Sequence, residues 1–598
     1  MLLPFQSLFF ATCLCFHAYA SQQHLLSQPH RHPDRPDNLT APFIFNSLAS
    51  LLIQWPNTYH GNGHTIIPGI IKPYTLLYHA RKDANLPPSP EWFAFDPEMS
   101  FGIMGGRGGS TFMSTYRTVR PARVVYFDGM SAALSDLGWL DSQEVFLAGR
   151  GRANESDQYP SRDEYTRITK LCKWAETVDL DGFVRMNAGF EVMWCDFDSP
   201  VIQLVSHLNI TAPGSTPTSG RDMPPPGGGR TPGKDAPDRP TRGRPGGSRP
   251  PFNFGWSPLG ATGFSEWLRV AAQRGTIPQP HVELDYSSFV TFYHPRLQSL
   301  VKAREGQSVR QHRIWNNIST ADAQSIRDEV EETLQRPPWR RGGSGMDWGA
   351  LARNVVEEWA SRIIQLHEFI GNTSTALREQ TPLNTTQAVI ALRRLTYSPL
   401  NPFMDTGAPN STAHDWVYSP GASLVDNVFL FPPRHPLPSV SMNSSALQRC
   451  VYSATGFLHD PRIHKTPQEV LLQTSIETVL ERLCGDYAAL FVESMDVDDR
   501  ISSQDLSRLI NLWGARVDLL MQWLDWTEWH RCTEVCPLDS ICSMPMWPLS
   551  GFRRGPRGEP GDGGAEEPED AWKPRCLSLL PDRGPFSSFV DAWGSGDF

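Results

Sequence analysis

The sequence predicts an α+β protein in four parts: a mixed N-terminal domain, a linker, a mostly α-helical region and a C-terminal module rich in tryptophan and cysteine. Strand-like runs of β-branched and aromatic residues, interrupted by an amphipathic helix, continue to about residue 211. Proline and glycine dominate 212–251, and helical periodicity dominates afterwards. With 598 residues the chain is too long for one hydrophobic core, so several domains are expected.

The first twenty residues are predicted to be a signal peptide. They are short, apolar and end in a small-x-small pattern at Ala20. A transmembrane anchor is the alternative, but Pro4 and His17 interrupt the run, which is also short for a bilayer span. No later segment is long and apolar enough to cross a membrane. The sequence therefore predicts a secreted protein with no membrane span.

Two further features favour an extracellular location. Cys13 and Cys15 fall within the predicted signal, and the remaining eight of the ten cysteines are an even number suited to disulfides. Eight Asn-x-Ser/Thr sequons are spread over the chain, which is typical of a glycoprotein. They begin at Asn38, Asn154, Asn209, Asn317, Asn372, Asn384, Asn410 and Asn443.

Composition and motif searches exclude several classes of function. The formal net charge is −10, which gives no indication of nucleic-acid binding. The sequence contains no Gly-x-Ser-x-Gly elbow, no His-Glu-x-x-His helix and no phosphate-binding loop. We therefore expect no metal centre, no serine-hydrolase chemistry and no nucleic-acid partner.

Residues 42–211 are predicted to form the mixed α+β domain. Residues 110–117 and 123–127 have the composition of strands, and 161–176 have apolar residues at helical spacing. Cys172 in this helix and Cys195 farther along are a candidate disulfide pair.

Two segments are predicted to be disordered, and one region to be helical. Residues 212–251 form the linker and 553–570 a second disordered segment, because neither can bury enough apolar area to offset its ordering entropy. Between them, 252–505 are predicted to be mainly helical. One helix is expected to begin after Asp347 and stop at Gly371.

A second helix is expected after Thr466. Pro467 and Glu469 complete a capping box that has proline at the first helical position. Ile476, Val479 and Leu483 then continue an apolar stripe at helical spacing.

Residues 506–598 are predicted to be a Trp/Cys-rich module. Its four cysteines could bind zinc, but the oxidising compartment favours disulfides. With two more cysteines upstream they form a set of six, for which about 15 pairings are possible. These cysteines are Cys450, Cys484, Cys532, Cys536, Cys542 and Cys576. The tryptophans could stack on sugars, although burial in the module is the simpler interpretation.

Three short motifs contain the candidate catalytic residues. LLYHA contains His79 near the end of a predicted strand, EWFAFDPEMS contains Trp92 and Ser100, and FEVMW contains Glu191. A lone carboxylate within an apolar strand is costly to bury without a partner or a purpose. We expect His79 and Glu191 to face a common cleft as a catalytic pair, with Trp92 as an aromatic wall.

These motifs resemble the ADP-ribosyltransferase fold of the diphtheria-toxin and poly-ADP-ribose polymerase branch, and a set of uncharacterised secreted fungal proteins. The resemblance implies NAD as substrate, with Glu191 stabilising the oxocarbenium-like transition state and His79 holding a ribose hydroxyl. It implies that the Ala80 backbone and Ser100 bind the nicotinamide amide, on which Trp92 stacks. The family commonly has Gly at the position of Ala80 and Tyr at that of Trp92.

Other interpretations of these residues stay open. His79 could be a structural histidine, and Glu191 could be an edge-strand charge or the ion-pair partner of Arg185. Three functions follow. The protein could transfer ADP-ribose or hydrolyse NAD; it could be a catalytically inactive recognition protein for a protein or carbohydrate; or it could be another hydrolase that uses His79 and Glu191.

Overall fold

The computed structural model describes residues 40–105, 109–134, 137–153, 163–215, 262–336, 342–419, 444–544 and 573–579. The predicted signal peptide 1–20, most of the linker (216–251) and the segment 553–570 lie outside these ranges.

The described residues form fourteen α-helices and twelve strands, which confirms a mixed α-and-β protein. The helices are α1 (Ala41–Ser50), α2 (Gln54–Tyr59), α3 (Pro97–Met104), α4 (Asp141–Ala148), α5 (Glu164–Val178), α6 (Thr262–Gln273), α7 (Gln298–Arg304), α8 (Thr320–Gln335), α9 (Trp348–Arg378), α10 (Thr385–Tyr397), α11 (Ala413–Tyr418), α12 (Ala446–Val451), α13 (Pro467–Met495) and α14 (Ser503–Leu524). The strands are β1 (Thr65–Ile71), β2 (Leu76–Arg81), β3 (Glu91–Ala94), β4 (Phe112–Thr118), β5 (Ala122–Phe127), β6 (Gly182–Asn187), β7 (Gly189–Trp194), β8 (Ile202–Asn209), β9 (Val282–Leu284), β10 (Val290–Thr291), β11 (Ser540–Ser543) and β12 (Arg575–Ser578).

Ten strands form the main sheet of the described chain, in the order β10-β1-β5-β6-β7-β3-β2-β4-β8, with β9 also paired to β1. The β5–β6 pair is parallel and its neighbours are antiparallel. Helix α5 lies between β5 and β6 in sequence, as a parallel pair requires a long crossover connection. Strands β11 and β12 form a separate two-stranded ribbon.

Local sequence signals account for two strands and one helix of the N-terminal part. The strands expected at 110–117 and 123–127 are β4 and β5. The helix expected at 161–176 is α5, and it begins at Glu164 because the Asp163 side chain accepts a hydrogen bond from the Thr166 backbone N–H. It ends at Asp179, which adopts the left-handed conformation with φ of 56°.

The two helices expected in the second region are α9 and α13. The Asp347 side chain caps α9 by accepting a hydrogen bond from Ala350, as predicted. The predicted stop at Gly371 is wrong, because α9 continues to Arg378. A single glycine costs a helix only about 1 kcal/mol, which the packing of the apolar face of α9 offsets. The capping box of Thr466 and Glu469 in α13 is confirmed.

One hydrophobic core extends across both sides of the linker. Ile44 and Phe45 of α1 belong to the same buried cluster as Trp359 of α9 and Ile476 of α13, and α1 packs against both long helices. Strands β9 and β10, which follow the linker in sequence, pair with β1. The division into parts 42–211, 252–505 and 506–598 stays a prediction. Both the main sheet and this core contain residues from more than one of these parts.

Four disulfides are present among the described cysteines. Cys172–Cys195 joins α5 to the residue after β7, as predicted. The four cysteines of the module are all paired, which supports the predicted disulfides. The remaining pairs are Cys450–Cys484, Cys532–Cys542 and Cys536–Cys576. This bonding is compatible with the predicted secretion.

None of the helices within the described ranges has both the length and the apolar composition that a bilayer span requires.

Candidate functional site

The predicted catalytic residues lie on three neighbouring strands and one helix. His79 and Ala80 are in β2, Trp92 is in β3, Glu191 is in β7, and Ser100 is in α3. Strand β3 lies between β2 and β7, so the three strands that carry these residues are neighbours in the sheet.

The register of these strands separates His79 from Glu191. Ala94 is paired with both Glu191 and Tyr78, so these three side chains share one face of the sheet. His79 follows Tyr78 and therefore points to the opposite face, where its ring lies 6.0 Å from that of Phe197. The expected common cleft for His79 and Glu191 is therefore wrong.

His79 is held by the backbone of the neighbouring strand. Its Nδ1 lies 2.6 Å from the Trp92 carbonyl oxygen, and burial lowers the pKa of His79 to about 4. The ring is therefore neutral near pH 7. Ser100 is also buried and donates a hydrogen bond of 2.8 Å to the Tyr78 carbonyl oxygen. Ala80 is buried in the same strand.

Glu191 is half of a buried ion pair. Its Oε1 lies 2.6 Å from Nη2 of Arg185, which also lies 2.5 Å from Glu164 at the start of α5. Nη1 of Arg185 donates to Gln143. Burial raises the pKa of Glu191, and the Arg185 charge opposes that shift. These contacts favour the interpretation of Glu191 as the ion-pair partner of Arg185.

Trp92 packs against α5 on the Glu191 face. Its ring meets the Tyr165 ring edge to face at 4.9 Å, and the Tyr165 hydroxyl donates to Glu91. Helix α5 therefore supplies one aromatic contact to the Trp92 ring, which is partly buried.

A separate cavity of about 210 Å³ lies where the sheet meets the long helices, and we call it the junction cavity. Its walls come from α1, α2, the loop before β1, the end of β5, α9 and the segment after α14. Apolar and aromatic side chains form part of the walls, and amide, imidazole and charged groups form the rest. This combination is typical of small-molecule sites.

Three polar side chains of the junction cavity are fixed at one end only. Asn46 Nδ2 donates to the Leu524 carbonyl oxygen, and Asn62 Nδ2 donates to that of Arg310, both at 2.7 Å. His60 Nε2 lies 3.5 Å from an Asp525 carboxylate oxygen. The other polar atoms, Oδ1 of both asparagines and Nδ1 of His60, are buried and have no hydrogen-bond partner among the described residues.

Glycines allow the loops around the cavity to approach each other closely. A Cβ at Gly63 would overlap the backbone of Asp128. Gly129 has a φ of +69°, and a Cβ there would overlap the backbone nitrogen of Gly63. The Asp128 side chain accepts a hydrogen bond of 2.7 Å from the Thr65 amide. These contacts hold the segment with His60 and Asn62 in place at the end of β5.

Burial dominates the electrostatics of the junction cavity. It raises the pKa of Asp128 to about 7 and raises the pKa of the Glu528 carboxyl. It lowers the pKa of His60, so that ring is neutral near pH 7. Shifted titratable groups that line one cavity are a recognised indication of a functional site.

The comparisons with known proteins concern the N-terminal part of the chain. A family model described as the YPL277C N-terminal domain matches residues 31–111 and 103–225. The N-terminal part of this chain is similar to that domain.

Two baker's yeast proteins are similar over the same share of the chain. Uncharacterized protein YPL277C of Saccharomyces cerevisiae is 32% identical over 220 residues, which cover 30% of this chain and 44% of that protein. Uncharacterized protein YOR389W is 32% identical over 219 residues, or 34% of its length. The chain thus spans less than half of these relatives. No solved structure matches it.

These similarities confirm the expected relation to uncharacterised fungal proteins, at the level of the N-terminal part. The ADP-ribosyltransferase fold stays a prediction. The wall residues of the junction cavity from Phe43 to Asp128 fall within the matched range, whereas the others lie between Thr276 and Arg531.

The junction cavity is not among the sites that the sequence predicts. A local signal was present in His60-Gly-Asn-Gly-His64, where polar side chains alternate with glycines. The other walls carry no such signal, because Arg353, Glu357 and Glu528 belong to helices or turns whose approach depends on the tertiary fold.

Proposed function

We propose that this protein is a secreted, non-catalytic recognition protein that binds a carbohydrate unit in the junction cavity. The observation that carries this proposal is the set of buried polar atoms of Asn46, His60 and Asn62, each on a side chain that is fixed at its other end. Buried hydrogen-bonding atoms without partners cost about 1–3 kcal/mol each, and a ligand with several hydroxyls satisfies them.

The walls suit a sugar in two further respects. Trp55 and Trp526 line the cavity, and the indole N–H of each is buried without a partner among the described residues. An aromatic wall with an N–H donor suits a ligand that has an apolar C–H face and oxygen acceptors. The volume of about 210 Å³ is below the ~300–1,000 Å³ of drug-sized sites. It therefore favours a single ring over a longer segment.

Calorimetric titration of the full-length secreted protein with mono- and oligosaccharides tests this function. Replacing Trp55 with alanine removes one wall, so we expect at least about tenfold weaker binding. Trp416→Ala is the matched control, because Trp416 lies in α11 outside the cavity and its indole N–H bonds Ser411. If no saccharide binds, or if Trp55→Ala binds as tightly as the unaltered protein, the proposal is wrong.

NAD cleavage stays a hypothesis for the face that carries Trp92 and Glu191. The position of His79 on the other face and the Arg185–Glu191 pair favour the recognition function over it. Incubation of the same protein with NAD tests the hypothesis directly. We expect no release of nicotinamide; release that Glu191→Gln abolishes would support the NAD-cleaving function instead.

A further inference from the structure

The charged groups around the junction cavity are mainly acidic. Glu357 of α9 and Glu528, which follows α14, line it together with Asp525, and Arg353 and Arg531 are the cations. Neither Glu357 nor Glu528 has an ion-pair partner within 4.0 Å among the described residues, whereas Glu358, next to Glu357, pairs with Arg362. Burial raises the pKa of Glu528, the positive charge of Arg531 opposes that shift, and the negative charge of Glu357 adds to it.

The unpaired buried atoms of the three fixed side chains are all acceptors. Asn46 and Asn62 present Oδ1, because their Nδ2 groups donate to backbone carbonyls. Both neighbours of His60 Nε2 are oxygen atoms of Asp525, so Nε2 carries the hydrogen and Nδ1 of the neutral ring is an acceptor. Asn62 is itself 8% exposed, so its free acceptor is well removed from water.

Acceptors and unpaired carboxylates together require a ligand group that donates hydrogen bonds and carries positive charge. A protonated primary amine has three donors and no acceptor, and it gains Coulomb energy beside Glu528, which is partly removed from water, and less beside the exposed Glu357. A neutral hydroxyl gains no such energy. The indole N–H groups of Trp55 and Trp526 are the complementary donors for the oxygens of the same ligand.

We propose that the junction cavity selects amino sugars, with the protonated amine of a 2-amino-2-deoxy hexose placed between Glu357, Glu528 and the acceptors of Asn46, His60 and Asn62. This inference rests on the proposed carbohydrate-binding function and names its ligand class. The binding involves no covalent step.

Paired titrations of the full-length protein test the selection. The probes are glucosamine oligomers, N-acetylglucosamine oligomers of the same length and neutral glucose oligomers. We expect glucosamine oligomers to bind at least about tenfold more tightly at low ionic strength, and the preference to fall with added salt.

Matched variants test which carboxylates produce the preference for glucosamine oligomers. Glu528→Gln and Glu357→Gln keep the shape of the side chain and remove its charge, so each is expected to reduce the preference severalfold. Glu358→Gln is the control, because this neighbour on α9 lies outside the cavity and pairs with Arg362. Thermal unfolding of each variant shows that it is folded.

The outcomes distinguish the two proposals. The amino-sugar inference is overturned if glucosamine and neutral sugars bind equally well. It is also overturned if Glu357→Gln and Glu528→Gln both keep the full preference for glucosamine oligomers. Either result leaves carbohydrate recognition in place. Absence of binding by any saccharide overturns both.

Discussion

Glu191 stabilises the fold through Arg185, and its loss is expected to be costly. Removing one partner of a buried ion pair leaves the other charge without compensation, which typically costs about 3–5 kcal/mol. Arg185 retains Glu164 and Gln143, so the cost belongs at the lower end of that range.

For Glu191→Gln we therefore expect a decrease of about 3 kcal/mol in the free energy of unfolding, measured by urea denaturation. Arg362 and Glu358 of α9 supply the control, because this pair is solvent-accessible and Glu358→Gln is expected to change stability by less than about 1 kcal/mol. An unchanged midpoint for Glu191→Gln would contradict the structural role of this carboxylate.

Helix α9 has two glycines whose surroundings differ, although local sequence does not distinguish them. At Gly371 an added Cβ meets no atom within 4 Å, whereas at Gly349 it would collide with the Tyr286 hydroxyl. The helix continues through Gly371 because its buried face stabilises it.

We expect Gly371→Ala to raise the free energy of unfolding by about 1 kcal/mol, through helix propensity. Gly349→Ala in the same helix is expected to lower it by about 1–3 kcal/mol, because the new methyl group forces the Tyr286 ring to move. Thermal and urea unfolding of both variants measure the difference. Equal effects of the two substitutions would show that the surroundings of Gly349 do not constrain it.

Buried neutral histidines make the stability of the whole molecule depend on pH. His64, His79 and His312 are almost fully buried, and burial lowers the pKa of all three, to about 4 for His79 and about 3 for His312. Below about pH 6.5 the unfolded chain binds protons that the folded chain does not. Stability is therefore present near neutral pH and decreases as the pH falls from about 6.5 towards 4.

Each such histidine contributes up to about 1.4 kcal/mol per pH unit in this window. We expect His79→Gln to reduce the dependence of the unfolding free energy on pH, measured between pH 7 and 4. Asp128, whose pKa is raised to about 7, acts in the opposite direction, so comparison of variants is needed to isolate the histidine. His414 is exposed, so His414→Gln should leave the dependence of the unfolding free energy on pH unchanged. The same unchanged dependence for His79→Gln would contradict the prediction.

The sequence by itself determined the features that depend on a few neighbouring residues. The strands at β4 and β5, the caps at Asp347 and Thr466, and the preference for disulfides follow from composition, short-range hydrogen bonds and cysteine number. Such rules act within one or two turns of the chain, so they hold whatever the tertiary fold is.

Only the tertiary structure decided which groups meet. The face on which His79 and Glu191 lie depends on strand register, and a shift of one residue exchanges the two faces. The junction cavity combines residues from Phe43 to Arg531, and β9 and β10 reach the sheet from beyond the linker. These arrangements follow from long-range packing, which no local pattern of residues specifies.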